Sequence, residues 1–396
     1  MNTHPLHGIT IIDLTSVVAG PLATQLLAQQ GARVLKLEPR EGDRARMLGA
    51  IARPGFSSVH VTLNAGKESI GLDLANLEGR KLLERLVPRA DVLIHNFRPG
   101  VMERLGLGNE QLQRLREDLI IARISGFGQA GPLSSERAYD PIVQAESGMT
   151  VRDAAGEPRL APQYVCDKTA GLYAAQAVTA ALFARSRDGR GRVVDISMIE
   201  AAVGFGWIDL HAPQAFPDGA KPAPNIAAVY RPWRTVDGWI VVVILSEVEF
   251  RGWAEAINAP DVLDDKRFGD MASRFLNWDA LRAQCASKLG SLTTVEALQR
   301  LRAAGVPCGA ANQSADLLDH EQLQFEGFIQ TVHHPRIGRT TRVKPVARFD
   351  DTREAIDSHA PAIGEQTCSV LSELGLGADE IDAALASGAA HEGASR

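Results

Sequence analysis

No two cysteines in this sequence stand close enough to form a CxxC pair. Cys166, Cys285, Cys308 and Cys368 are far apart, which excludes a disulfide framework and a cysteine zinc site and fits reduced thiols in the cytoplasm. Long hydrophobic runs are missing as well. The longest unbroken one, Trp239 to Leu245, is far too short to cross a bilayer, and Met1-Asn2-Thr3-His4-Pro5 does not read as a signal peptide. Neither sign of charge dominates: 42 basic against 48 acidic residues leave a net charge of −6. That balance argues against a nucleic-acid binder, and no block of like charge suggests a tail. Common enzyme fingerprints are missing too. There is no phosphate-loop lysine motif, no HExxH and no GxSxG, and no GxGxxG follows the first expected strand. The nearest glycine cluster, Gly126-Phe127-Gly128, follows a later strand and reads as lacking the third glycine, so a Rossmann-like sheet need not bind NAD.

What is present is an ordinary soluble composition, 45% hydrophobic and 23% charged, long enough for two or more domains. Ile9 to Leu14 reads as a buried strand. Gly20-Pro21 opens a helix through Gln30, Gly31 ends it, and Arg33 to Leu37 is the next strand. This βαβ unit predicts a parallel sheet. Helices are expected near 78–88 and 109–116, with strands over Asp91–His95 and Leu119–Arg123. Ala170 to Ala184 is apolar on nearly every side, as in a core or subunit-interface helix. A turn over Arg185–Gly191, a strand over Val193–Ile196 and a helix from Met198 to Leu210 follow. Pro213, Pro217, Pro222 and Pro224 mark a linker at 212–225. Beyond it come a strand over Trp239–Leu245 and helices near 247–257, 277–288 and 293–304. From about 330 short strands are expected, then a break at His359-Ala360-Pro361, a helix over 364–374, and fraying after Ala384.

Asp167 stands at the head of the apolar helical run, in Tyr164-Val165-Cys166-Asp167-Lys168-Thr169-Ala170-Gly171. A helix N-terminus favours negative charge and offers free N–H groups to a developing oxyanion. Asp167 therefore reads either as an N-cap or as a carboxylate nucleophile. Arg40, Arg44, Arg46, Arg53 and Lys67 read either as solvated surface or as a site for a phosphorylated cofactor. His333 and His334 are not expected to share a metal, because neighbours in a strand point to opposite faces.

Taken in order, Gly8-Ile9 through Asp13-Leu14, Ala19-Gly20-Pro21, Gly31 to Pro39, Lys67 to Leu74, Asn96 to Gly100, Arg104-Leu105-Gly106, Ser125 to Gly128, Asp167 to Gly171 and Gly305 to Gly309 resemble the family III CoA-transferases, the formyl-CoA:oxalate and carnitine type. The resemblance runs from about residue 7 to 385. It implies an α/β fold: a Rossmann-like large domain built from 1–212 and 331–396, a smaller α+β domain over 225–330, and an interlocked ring-like homodimer. Asp167 falls on the family's catalytic aspartate, which moves CoA from an acyl-CoA thioester to a carboxylic acid through an aspartyl anhydride and an aspartyl-CoA thioester. Val18, Ala19, Leu72, Asp73, Leu74, Ala75, Asn96, Phe97, Arg98, Arg104, Arg137 and Tyr139 are implied to hold the CoA, with Arg40 at its adenosine phosphate end. No permanently bound cofactor and no metal is implied; coenzyme A enters as substrate.

Two departures bear on the substrate. The formyl-CoA:oxalate enzymes carry a glycine run absent between Asp195 and Trp239, and Val18 replaces their glutamine; both point away from formate and oxalate. The related α-methylacyl-CoA racemases carry a histidine where Tyr139 stands before Asp140, and a phenol of ordinary pKa is a poor base. A protein that binds CoA esters without catalysis is the other alternative; a carboxylate beside the thioester argues against it. The acids themselves would be chosen in 225–250, where Arg231 or Arg234 could pair with a second carboxylate and Glu247 lies nearby.

Overall fold

The computed structural model describes residues 4–152, 155–219, 229–350 and 358–393. Two compact units are formed, one from Met1–Ala212 with Ile329–Arg396 and one from Pro213–Phe328. The first is built on a seven-stranded sheet. Its strands are β1 (Thr10–Asp13), β2 (Arg33–Glu38), β3 (Glu68–Leu72), β4 (Val92–His95), β5 (Ile120–Ser125), β6 (Arg192–Ser197) and β7 (Ala390–His391). They lie in the order β6-β5-β4-β1-β2-β3-β7, all parallel except β7.

Apolar residues serve both faces, as a parallel sheet covered on both sides requires. Ile11, Val34, Ile94 and Ile120 pack with α1 (Ala19–Gln29), α3 (Val165–Asp188) and α4 (Met198–Gly206). Ile12, Leu35, Leu93 and Ile121 pack with the helices Leu77–Leu86, Asn109–Leu115 and Thr367–Glu373. The helix α2 (Asp140–Glu146) lies between β5 and α3 in sequence. α1 and α3 cross closely because Gly171 has no side chain: a Cβ there would lie 2.7 Å from the Ala19 carbonyl oxygen.

Several expectations are corrected. β3 lies where the sequence pattern predicts no strand, because Glu68, Ser69 and Gly71 interrupt its apolar run. Ser69 is buried by donating to Glu38 at 2.6 Å. Gly71 is the residue that lets β7 approach, since a Cβ there would meet the His391 carbonyl at 2.1 Å. The Ala/Gly-rich end does not fray through residue 393: a helix spans Ala378–Ala386 and β7 closes the sheet edge. α3 continues through Asp188 to a left-handed Gly189, four residues into the span expected as a turn. The Met198 helix stops at Gly206, short of Leu210. Gly131 completes the GxGxxG spacing begun by Gly126 and Gly128, but the next helix opens only at Asp140, so the fingerprint's strand-turn-helix context is missing.

The basic residues after β2 do not form one surface. Lys67 is buried and donates to Asp13 (3.2 Å), Thr24 (2.7 Å) and Asn64 (2.9 Å). Arg46 is buried in a two-pronged contact with Glu38, at 2.8 and 2.6 Å. These are structural charges, neither solvated nor available to a cofactor. Burial would raise the Asp13 carboxyl, but Lys67 and Lys36 overcome it and hold it below its ordinary value.

The Pro213–Phe328 unit has a three-stranded antiparallel sheet of Trp233–Arg234, Trp239–Val242 and Cys308–Ala310. Trp233, Trp253 and Trp278 centre its core, with the helices Glu247–Ala256, Trp278–Gly290 and Thr294–Ala303 around it. The linker expected at 212–225 lies outside the described residues from 220 on. His333 is exposed and His334 buried on their hairpin. No cluster of metal-binding side chains occurs among the described residues.

Candidate active site

The sequence of strands reverses direction between β1 and β4, and ligands of open α/β sheets bind beyond the strands' carboxyl ends at such a point. Two cavities lie there. One, about 390 Å³, is lined by Ala19, Asn96, Phe97, Arg98, Arg137, Tyr139 and Asp167 among others. The second, about 360 Å³, is lined by Leu72, Asp73, Leu74, Ala75 and Phe97 with residues that follow β1 and β2. Ser16, Arg44 and Phe97 belong to both.

The loop after β1 is held tightly at this junction. Asn96 accepts the Ser16 N–H at 3.0 Å and donates to the Ser16 carbonyl at 2.8 Å. Val17 has φ 73°, a left-handed conformation that is costly for a β-branched residue. Asp43 holds it there by accepting the Val17 N–H at 2.9 Å, and the buried Lys36 pairs with Asp43 at 2.9 Å.

Asp167 is not an N-cap. α3 begins at Val165 after Tyr164, so Asp167 lies inside the first turn. Its own N–H donates to Asp140 Oδ2 at 2.9 Å, which removes that group from any oxyanion hole. Asp140, at the start of α2, also accepts from Gln144 at 2.5 Å. Gln144 in turn accepts the Ala161 N–H at 2.9 Å and donates to the Gln163 carbonyl at 3.0 Å. This chain of bonds fixes the start of α3 against α2.

Asp167 is only 9% exposed. Burial, reinforced by the neighbouring Asp140 carboxylate, pushes its pKa from 3.8 up to about 7. A buried carboxyl poised near neutrality, facing a cavity, is a common feature of reactive sites. The adjacent Cys166 does not compete as nucleophile: burial and the two carboxylates push its thiol up to about 12.

Of the residues expected to hold CoA, Ala19, Asn96, Phe97, Arg98, Arg137 and Tyr139 line the first cavity, and Leu72 to Ala75 with Phe97 line the second. Three lie elsewhere. Val18 is buried and faces a separate groove of about 800 Å³ beside Asp140, Tyr164 and Lys168. Arg40 and Arg104 are exposed and line neither cavity. Ser16, Arg44, Asp140 and Met198 were missed; Arg44 was visible only as one cation among five, and Asp140 only as the neighbour of Tyr139. The expected acid-selecting residues have partners within their own unit. Arg231 pairs with Asp279, Arg234 lies over the Trp239 ring at 5.1 Å, and Glu247 holds Arg274 at 2.5 Å.

Residues 6–367 match the profile described as CoA-transferase family III. The chain belongs to CoA-transferase family III. It is 33% identical to the probable fatty acyl-CoA transferase Rv3272 of Mycobacterium tuberculosis, over 93% of this chain and 98% of that one. It is 36% identical to the acetyl-CoA:oxalate CoA-transferase of Acetobacter aceti, over 93% and 96%. Among solved structures, a CAIB/BAIF family protein from Brucella suis aligns with a TM-score of 0.82 at 29% identity, over 93% and 99%. As a family III chain it is a transferase, and its mixed α/β fold with a mostly parallel central sheet is the fold of its relatives. No helix among the described residues is long and apolar enough to cross a membrane.

Proposed function

We propose that this chain moves CoA from an acyl-CoA thioester to a carboxylic acid through covalent intermediates on Asp167. The observation that carries the reading is the buried Asp167 carboxyl in the wall of the cavity at the sheet's reversal point. In its ionised form Asp167 attacks the thioester carbonyl; the C–S bond breaks, CoA thiolate leaves and a mixed anhydride forms. The thiolate then attacks the Asp167 carbonyl of that anhydride, releasing the donor carboxylate and leaving an aspartyl-CoA thioester. The acceptor carboxylate attacks this thioester, and the released thiolate takes the acceptor's acyl group from the second anhydride. Asp167 is regenerated, and thioester energy is conserved because each cleaved acyl bond is replaced by another activated one.

Relatives named for succinyl-CoA with L-malate and for acetyl-CoA with oxalate support acyl-CoA donors and carboxylate acceptors. The 36% identity to an acetyl-CoA:oxalate CoA-transferase keeps oxalate among the acceptors to be tested. CoA would span both cavities, with Asn96, Phe97, Arg98, Arg137, Tyr139 and Ala19 around its thioester arm and Leu72 to Ala75 around its nucleotide. A racemase would need a base where Tyr139 stands, and that phenol instead faces the Arg44 guanidinium at 3.0 Å. Self-association is part of the proposal. Leu172, Tyr173 and Phe183 on α3, with Phe205, Trp207 and Ile208 on and after α4, leave large apolar side chains exposed, and an interlocked second copy would cover them.

The test is mass spectrometry after incubation with succinyl-CoA or acetyl-CoA and a hydroxylamine or borohydride quench. Hydroxamate or alcohol formation mapped to Asp167, and lost in Asp167→Asn, is expected. An unmodified Asp167 across a panel of CoA esters that bind would refute the covalent route.

A further inference from the structure

We propose that Arg44 grips the diphosphate of CoA, and that its present bond to Tyr139 is a latch across the passage between the two cavities which CoA displaces. The inference rests on the CoA-transferase reading above. Three residues, Ser16, Arg44 and Phe97, line both cavities and so mark their junction. A CoA ester with its thioester at Asp167 and its nucleotide beside Leu72 to Ala75 must thread that junction. The segment of CoA between nucleoside and pantetheine is a diphosphate, which carries two negative charges.

Arg44 is suited to meet it. Its backbone is anchored on both sides: Asp43 accepts the Ala45 N–H at 2.8 Å, Ala45 is fully buried, and Arg46 is locked to Glu38. Its side chain is exposed. The one hydrogen bond recorded for its guanidinium among the described residues goes from Nη1 to the Tyr139 hydroxyl at 3.0 Å, a neutral acceptor. Hydrogen bonds from a guanidinium to phosphate are charge-assisted and often two-pronged, and therefore stronger than a bond to a phenol. Exchange of one for the other opens the passage and seats the ligand in the same movement. Arg98 and Arg137, on the first cavity's wall, add to the positive field that draws the phosphates in.

Calorimetric titration of wild type, Arg44→Gln and Tyr139→Phe with CoA, dephospho-CoA and pantetheine tests the proposal. Arg44→Gln should weaken CoA and dephospho-CoA alike, on the order of 10- to 100-fold, because both keep the diphosphate. Pantetheine, which has none, should bind wild type and Arg44→Gln equally. Tyr139→Phe, which removes the latch, should tighten CoA a few-fold. Equal CoA affinity in wild type and Arg44→Gln overturns the diphosphate assignment, and so does an equal loss for pantetheine. Weaker CoA binding in Tyr139→Phe overturns the latch. A wild-type protein that binds no CoA would instead sink the transferase reading itself, an outcome distinct from failure of Arg44 alone.

Discussion

Replacing Asp167 by Asn should make the protein more stable, and increasingly so as pH rises. The folded-state pKa of Asp167 is raised from 3.8 to about 7, so the fold prefers the neutral carboxyl. The associated stability is fully present below about pH 4 and is lost as pH climbs through 7. At about 1.4 kcal/mol per pH unit, ionising Asp167 costs the folded state roughly 4 kcal/mol once pH is well above 7. Near pH 5 only about 1.5 kcal/mol of that cost has accrued, because the folded carboxyl is still protonated while the unfolded one is not. Asn has the same shape and cannot ionise, so it escapes the cost at both pH values. Denaturant unfolding of the Met1–Ala212 and Ile329–Arg396 unit in wild type and Asp167→Asn, at pH 5 and pH 8.5, reads the difference. The variant's advantage should grow by about 2.5 kcal/mol between them. Parallel pH profiles for the two proteins would refute the reasoning, since they would mean that Asp167 ionises without strain. A gain in stability joined to loss of CoA transfer would mark a residue kept for reactivity at the fold's expense.

Asp140→Asn keeps an oxygen to accept the Asp167 N–H but removes the neighbouring charge. The pH at which first-turnover CoA release reaches half its maximum should therefore move to lower pH than in wild type; an unmoved or higher midpoint would show that Asp140 does not raise Asp167. Leu172→Glu combined with Phe183→Glu places two charges on the exposed apolar face of α3. Analytical ultracentrifugation should show a shift toward monomer, and an unchanged sedimentation profile would place self-association on another face.

The parallel sheet was legible because β1, β2, β4 and β5 are short apolar runs between helices, a pattern that few other arrangements satisfy. β3 was hidden because its burial depends on partners far along the chain: Ser69 on Glu38, and the Gly71 N–H on the Thr367 hydroxyl at 2.8 Å. Local pattern carries no record of such contacts. Asp167 was legible as a residue but not in its role within α3, since capping and first-turn positions differ by a few residues and the deciding bond comes from Asp140. Arg46 and Lys67 misled for a related reason. A buried ion pair and a surface charge look alike in sequence, and only the carboxylate opposite each separates them. Arg44 shows the converse, an exposed cation whose position matters because its buried neighbours hold it rigid.

The closure of β3 by β7 also sets an order of events during biosynthesis. Gly71 and His391, which face each other in the β3–β7 pairing, are 320 residues apart. At typical elongation rates of 5–20 residues per second, about 15–60 s pass between their appearances from the ribosome. For that interval β3 is an open edge, ready to pair with any exposed strand, while the Pro213–Phe328 segment emerges with a core of its own. The nascent chain is thus most vulnerable to mispairing in the middle of its synthesis, and a chaperone that shields sheet edges would help most then.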